Sequence, residues 1–333
     1  MFSDILILRR IHLSPKERER RRMSKDIAEK RLEEYNDVFA DIVNNAVCGG
    51  RQVLREEDLE AVPTEAYTKI KGRYRQGNRD IYKVDRQKNH YRLYSNLENQ
   101  TKVDNTMPER AMGYDYAGYE EQVRRIMEEN RVAEKPAFAK RIHDGQKLTP
   151  VLSAVVFYGM KWTGPRRLHD MLEFPPEAAQ ILRELVPDYP LNLVEVRKLP
   201  PEVRQRFTSD FRLIAEFMAC QNNPRELDRL LADNQFVIKH PEEFFALLYE
   251  ITSDCRFEKV KKALTQEEKD GGTTMCKGLD RLEERGRKEG RKEGEKRFAT
   301  LTDRLLSESR LEDLQKAIKS VSHRKVLYQE YGI

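Results

Sequence analysis

The chain has 333 residues and a formal net charge of +5; 36% of its residues are charged and only 38% are apolar. It offers no run of about 18 apolar residues to cross a membrane as a helix. The apolar stretch 5–8 is closed by Arg9 and Arg10 and is too short for a signal-peptide core, so a cytoplasmic protein is expected.

Residues 1–22 carry seven Lys/Arg against three acids. Two readings of this segment stand: a short basic arm, disordered for want of a periodic apolar face, or an upstream extension of a protein whose translation starts at Met23. From Ser24 the apolar positions Leu32, Tyr35, Phe39, Ile42, Val43, Ala46 and Val47 recur at intervals of three and four. That spacing predicts a helix over 24–48, stopped by Gly49 and Gly50. Residues 51–78 give weaker signals, with β-prone pieces at 53–54 and 67–70 around a break at Pro63. The runs 79–86 (RDIYKVDR) and 90–98 (HYRLYSNLE) then read as a β-hairpin turning at Gln87, Lys88 and Asn89. A helix follows over 107–130, with Pro108 in its first turn. The run 150–158 (PVLSAVVFY) reads as a central strand covered on both faces. Helix, three strands, helix and strand define an α/β unit with a mixed central sheet flanked by helices.

The second half changes character. Residues 191–196 supply one more strand, and helical patterns occupy 201–221, 224–233 and 241–253. A Gly271-Gly272 break opens a charged linker over 271–297, in which the Gly-Arg-Lys-Glu repeat places Gly286, Gly290 and Gly294 four residues apart. Each glycine costs a helix up to about 1 kcal/mol relative to alanine. The repeat is therefore either a frayed, charged helix or a stripe that lets another backbone approach. Leu301, Leu305, Leu311, Leu314, Ile318 and Val321 pattern a small helical tail over 298–333, with Ser309 and Glu312 spaced as a capping box. So short a helix pair must dock on something, and the expected partner is another copy of the chain, giving a homo-oligomer.

Charge is unevenly spread: residues 281–297 hold eight Lys/Arg against five Glu, whereas 23–280 are net −3. The positive balance belongs to the ends. The four cysteines (Cys48, Cys220, Cys255, Cys276) have neither CxxC spacing nor a neighbouring His, so reduced, packed thiols are expected.

Chemistry concentrates on the hairpin. Asp80 opens its first strand and the element Glu98-Asn99-Gln100 closes the second. Strand alternation points Glu98 and Gln100 to one face. An odd-numbered turn gives paired positions an even sum near 176–178, which sets Asp80 opposite Asn96 or Glu98. Two carboxylates brought together repel and raise each other's pKa unless a cation intervenes. Mg²⁺, or Mn²⁺ in its place, suits one or two carboxylates plus waters. On residue types alone, solvated strand ends are the commoner explanation of such acids.

The segments 35–43 (YNDVFADIV), 79–81 (RDI), 97–101 (LENQT), 107–115 (MPERAMGYD) and 209–213 (SDFRL) occur in an order that resembles the Rpn-type recombination-promoting nuclease and transposase family of the PD-(D/E)XK superfamily. The likeness covers residues 27 to 283. It implies a restriction-endonuclease-like core over 23–270 and a Mg²⁺-dependent DNA endonuclease activity linked to recombination or mobile elements. It assigns Asp80 and Glu98 as metal ligands and Gln100 as the third catalytic position, where many superfamily members carry Lys. It also implies an acid from the first helix. Glu34, Asp37 and Asp41 share one stripe there, and Asp37 or Asp41 is either a further metal ligand or part of a wet surface. Trp162 with Tyr158 and Lys161, and the pairs Arg124-Arg125 and Arg166-Arg167, have nucleic-acid readings, but core packing and solvated helix faces account for them more simply.

Overall fold

The computed structural model describes residues 27–70, 73–88, 90–133, 142–221, 223–232 and 235–333; the segment 1–22, Met23 and Asn89 lie outside them. The described residues form strands β1 (Leu59–Ala61), β2 (Glu65–Ile70), β3 (Arg73–Asn78), β4 (Ile81–Gln87), β5 (His90–Gln100), β6 (Val151–Phe157) and β7 (Asn192–Glu195). Five of them make a mixed sheet in the order β1-β4-β5-β6-β7, while β2 and β3 pair separately. β4 is antiparallel to β1 and β5, and β6 is parallel to β5 and β7. The chain is an α/β protein, as the element order predicts. β6 is the apolar run expected at the centre: Ala154, Val155, Val156 and Phe157 are buried.

The hairpin has the expected parity for a different reason. Gln87 pairs with His90 and Arg86 with Tyr91, so the pairs at the tip sum to an odd number. A register shift between Asp85 and Arg86 leaves Arg92 as the extra residue on β5, and from Asp85↔Leu93 to Ile81↔Leu97 the sum is 178. A bulge of this kind moves every later side chain to the other face. Here it places Asp80, one residue before Ile81, opposite Glu98.

The first helix is broken. Residues 27–33 form α1, and α2 (Asn36–Ile42) resumes after Tyr35, running into a π turn at Val43–Val47. Lys83 Nζ donates to the Glu34 carbonyl and to Asn36 Oδ1, both at 2.5 Å. Asn36 in turn donates to the carbonyls of Glu56 and Leu59. Buried groups need partners, and supplying them to Lys83 and the loop before β1 opens the helix at Glu34-Tyr35. Gly49 and Gly50 end the segment with φ of +67° and +92°, conformations that favour glycine. The expected β piece at 53–54 is instead a loop held by Asn44, whose Oδ1 accepts from the Val53 and Leu54 amides.

Two layers cover the sheet. α1, α2 and the later helices α6 (Phe211–Cys220), α7 (Pro224–Leu231), α8 (Pro241–Thr252) and α9 (Cys255–Ala263) share one large core with Ile81, Leu97, Ala154, Val156 and Tyr158, while α4 (Ala179–Leu185), α5 (Pro201–Arg204) and α10 (Gln266–Gly271) are short. On the opposite face lies α3 (Met107–Ala133), whose Met107 and Tyr114 pack with Val155, Phe157 and Trp162. Trp162 is therefore a core residue, its indole edge-on to Phe157 and donating to the Pro165 carbonyl. Of the paired arginines, Arg125 bonds to Tyr94, and the exposed Arg166 and Arg167 pair with Glu195 and Asp188; Arg124 is exposed.

The charged linker is helical. α11 (Met275–Ser307) runs unbroken through the Gly-Arg-Lys-Glu repeat, rooted by Met275 and Leu279 in the main core. Its far end packs with α12 (Leu311–Lys319) and α13 (Val321–Tyr331) around Leu301, Leu305, Ala317 and Leu327. Two details depart from the sequence reading. Ser309 has φ of +59° and α12 begins without a side-chain cap, so the capping box does not form. Leu311, Ile318 and Val321 are exposed. The four cysteines are free. Among the described residues no helix is long and apolar enough to cross a membrane.

Candidate active site

Asp80, Glu98 and Gln100 meet in one cavity of about 490 Å³ at the end of β4 and β5, lined also by Lys30, Lys102 and Arg110. Asp80 sits where the chain enters β4. Its Oδ2 accepts the Asn99 amide at 2.8 Å, and its Oδ1 lies 2.6 Å from Lys30 Nζ. Glu98 points to the α3 face, as alternation along β5 requires, and its side chain is only 3% exposed. Arg110 forms an ion pair with Glu98 Oε1, and Tyr114 Oη lies 3.5 Å from the same oxygen. Arg110 and Tyr114 are four residues apart, on one face of α3. Arg110 is held further by Asp104 at 2.7 Å and by Tyr114 Oη at 2.9 Å. Gln100 Nε2 reaches Glu98 Oε1 at 3.5 Å, the long limit for such a bond.

Burial, and after it the charge of neighbouring Asp80, hold the Glu98 carboxyl well above the ordinary carboxylate range; Arg110 and Lys30 pull it back only in part. Glu98 Oε2 is buried with no hydrogen-bond partner among the described residues. Both observations describe a carboxyl that burial takes out of water without full compensation. The residue types fit a hard divalent cation: two carboxylates beside a cavity with room for water. Among the described residues no three His, Cys, Asp or Glu side chains group as a metal cage. Mg²⁺ does not need one, because it keeps several waters when held by one or two carboxylates.

On the other face of the sheet α1 places a further acid, Glu33, which does not line the cavity. Its side chain is fully buried, accepting from Asn99 Nδ2 at 2.7 Å and from Tyr158 Oη at 2.5 Å. Burial pushes it up to about 7 despite those two bonds, and Asp80 adds to the rise. Asp37 and Asp41 do not reach the cavity. Asp37 contacts His240 at 2.9 Å and Lys239 at 3.6 Å. Burial alone would raise its pKa, but the His240 hydrogen bond and charge outweigh it and leave the carboxyl below its usual value. Asp41 Oδ2 accepts from the Thr208 and Ser209 amides and the Ser209 hydroxyl, fixing the loop before α6. The stripe of Glu34, Asp37 and Asp41 presumes one continuous helix. The break at Glu34-Tyr35 sends the two halves in different directions.

Sequence reasoning missed Lys30, Glu33, Arg110 and Tyr114. Arg110 and Tyr114 had a signal, a polar pair at helical spacing directly after the hairpin. Lys30 and Glu33 sit on a turn of charged residues that resembles an ordinary solvated face. No family model, curated protein or solved structure matches this chain.

Proposed function

We propose that this chain is a Mg²⁺- or Mn²⁺-dependent DNA endonuclease with a restriction-endonuclease-like core, acting in recombination or mobile-element biology in the cytoplasm. The observation that carries the reading is the juxtaposition of Asp80 and Glu98, where the chain enters β4 and leaves β5, both lining one cavity of about 490 Å³. Asp80 and Glu98 would hold the cation. Once bound, it would neutralise charge developing on the phosphoryl oxygens and acidify a water. The chain's own residues do the rest. The Asn99 amide fixes Asp80, and Arg110, braced by Asp104 and Tyr114, fixes Glu98. The Gln100 amide is placed to orient a water or a phosphate oxygen. In hydrolysis the water oxygen bonds to phosphorus and the bond to the departing sugar oxygen breaks with its electron pair. The water gives a proton to solvent, and the departing oxygen takes one back.

Cleavage of plasmid DNA with Mg²⁺ by the wild type, Asp80→Ala and Glu98→Ala tests the assignment. Each substitution is expected to lower the rate by at least about a hundredfold, the scale of removing a main electrostatic contact from a transition state. Equal cleavage by all three would overturn it. One observation favours a second reading, a catalytically silent DNA-binding or protein-interaction module: Lys30 and Arg110 already pair with both acids. Titration calorimetry with Mg²⁺ and Mn²⁺ separates the two, since a working site takes up metal and a silent one does not. Self-association through the C-terminal helices belongs to the same proposal. It is supported by the exposure of Leu306, Leu311, Ile318, Val321 and Val326 around that small bundle, and light scattering of the full chain tests it.

A further inference from the structure

The Glu98-Asn99-Gln100 element ends in a neutral amide, so β5 brings no positive charge to a phosphodiester. Two cations approach the same acids from other elements. Arg110 is anchored by Glu98, Asp104 and Tyr114 together, which suits it to orient Glu98. Lys30 comes from α1, on the other side of the sheet from α3. Its ammonium is 2.6 Å from Asp80 Oδ1, and its side chain is 37% exposed at the cavity wall. Its charge acts beyond Asp80, lowering the pKa of Glu98 as well as that of Glu33. Lys30 therefore stands beside both strand acids and reaches the space a phosphate would fill. Lys102 also lines the cavity but is exposed on the loop after β5, a position suited to first encounter with DNA.

We propose that Lys30 supplies from the first helix the cation that Gln100 does not supply from β5, by donating to a non-bridging oxygen of the scissile phosphate. This inference rests on the nuclease reading of the site. Lys30 stays protonated throughout. It stabilises the negative charge that builds on the non-bridging phosphoryl oxygens as water adds, and no proton passes through it. An ammonium on a flexible four-carbon stem can turn from Asp80 towards a phosphate oxygen.

The test uses the full chain with Lys30→Met, Gln100→Lys and the double variant Lys30→Met/Gln100→Lys. Plasmid cleavage in Mg²⁺ gives the rate, and anisotropy of a fluorescein-labelled 20-base-pair duplex in EDTA gives affinity against salt. Lys30→Met is expected to lower kcat by about a hundredfold or more. It should also reduce the slope of log affinity against log salt by about 0.9, one phosphate contact. The double variant is expected to recover at least about tenfold in rate, together with the lost slope, because a lysine at position 100 opens on the same cavity. If Lys30 only braces Asp80, lysine at 100 restores nothing and the salt slope does not move, and that result overturns the proposal. A wild type that cuts no DNA while Lys30→Met still reduces the slope removes the nuclease reading and leaves Lys30 as a phosphate contact. A wild type that cuts, with Lys30→Met unchanged in rate and slope, removes the Lys30 role and leaves the nuclease reading standing.

Discussion

Glu33 gives the most quantitative test of the site. The folded chain holds its carboxyl at about 7 against an ordinary 4.5, chiefly because it is fully buried. A raised acid favours the protonated form in the fold, so its contribution is fully present below about pH 4.5 and is lost as pH rises through 7. At 1.36 kcal/mol for each pH unit between the two values, the loss amounts to about 3 kcal/mol. Glu33→Gln removes the titration and keeps the shape. The Tyr158 hydroxyl can still donate to the new amide oxygen, and the Asn99 Oδ1, buried without a partner among the described residues, can accept from the new NH₂ after the Asn99 amide turns over. Urea unfolding at pH 4.5 and pH 8 then gives the stability difference between wild type and variant at each pH. That difference is expected to move by about 3 kcal/mol in favour of the variant on going to pH 8. Comparing the two pH values cancels any pH-independent cost of the substitution. A difference that stays flat would mean that Glu33 ionises without penalty, which would refute the claim that it is a dry, buried acid.

Asp41→Ala leaves the two backbone amides and the hydroxyl at Thr208 and Ser209 without their acceptor. It is expected to cost about 2–4 kcal/mol in urea unfolding; because Asp41 lies outside the cavity, metal uptake measured by calorimetry should be unchanged. A loss of metal binding with stability intact would return Asp41 to the list of ligands. Gly290→Ala fills open space on α11, since nothing lies within 4 Å of an added Cβ. Thermal unfolding should show a gain of about 0.5–1 kcal/mol with the oligomeric state unchanged. A variant that is less stable or dissociates would mark the glycine stripe as a contact face.

The sheet was legible because its strands carry strong, local signals. The continuous apolar run of β6, the run of β-formers in β5 and the proline-led start of α3 all survive in the fold. Parity placed Asp80 and Glu98 together, but it did so through an assumed turn, whereas the fold uses a bulge at Arg92. A bulge leaves no mark in periodicity, because it depends on which strand yields when Asp85 is buried against Arg92, with 3.6 Å between them. The broken first helix was illegible for a similar reason. Its apolar spacing is helical throughout, and where it opens the Glu34 carbonyl accepts from Lys83, forty-nine positions away, a contact no local pattern shows. The repeat in α11 ran the other way: local glycine cost argued for fraying, yet i,i+4 pairs such as Glu283 with Arg287 and Glu284 with Lys288 support the helix, each by a few tenths of a kcal/mol.

Asn99 ties these findings together. Strand alternation turns its side chain away from Glu98, so the residue between the two cavity-facing positions projects to the opposite layer. There its amide donates to Glu33, while its own backbone N–H donates to Asp80. The hidden acid on one face and the open acid on the other therefore share a single residue as donor. The middle position of Glu98-Asn99-Gln100 is thus the link between the two faces of the sheet, and a hydrophobic residue there would leave Glu33 with the Tyr158 hydroxyl as its remaining side-chain donor. It would keep the Asp80 contact, because that contact comes from the backbone. The two sides of the site should accordingly separate on mutation of Asn99: Glu33 would become harder to ionise while the pairing of Asp80 with β5 persists.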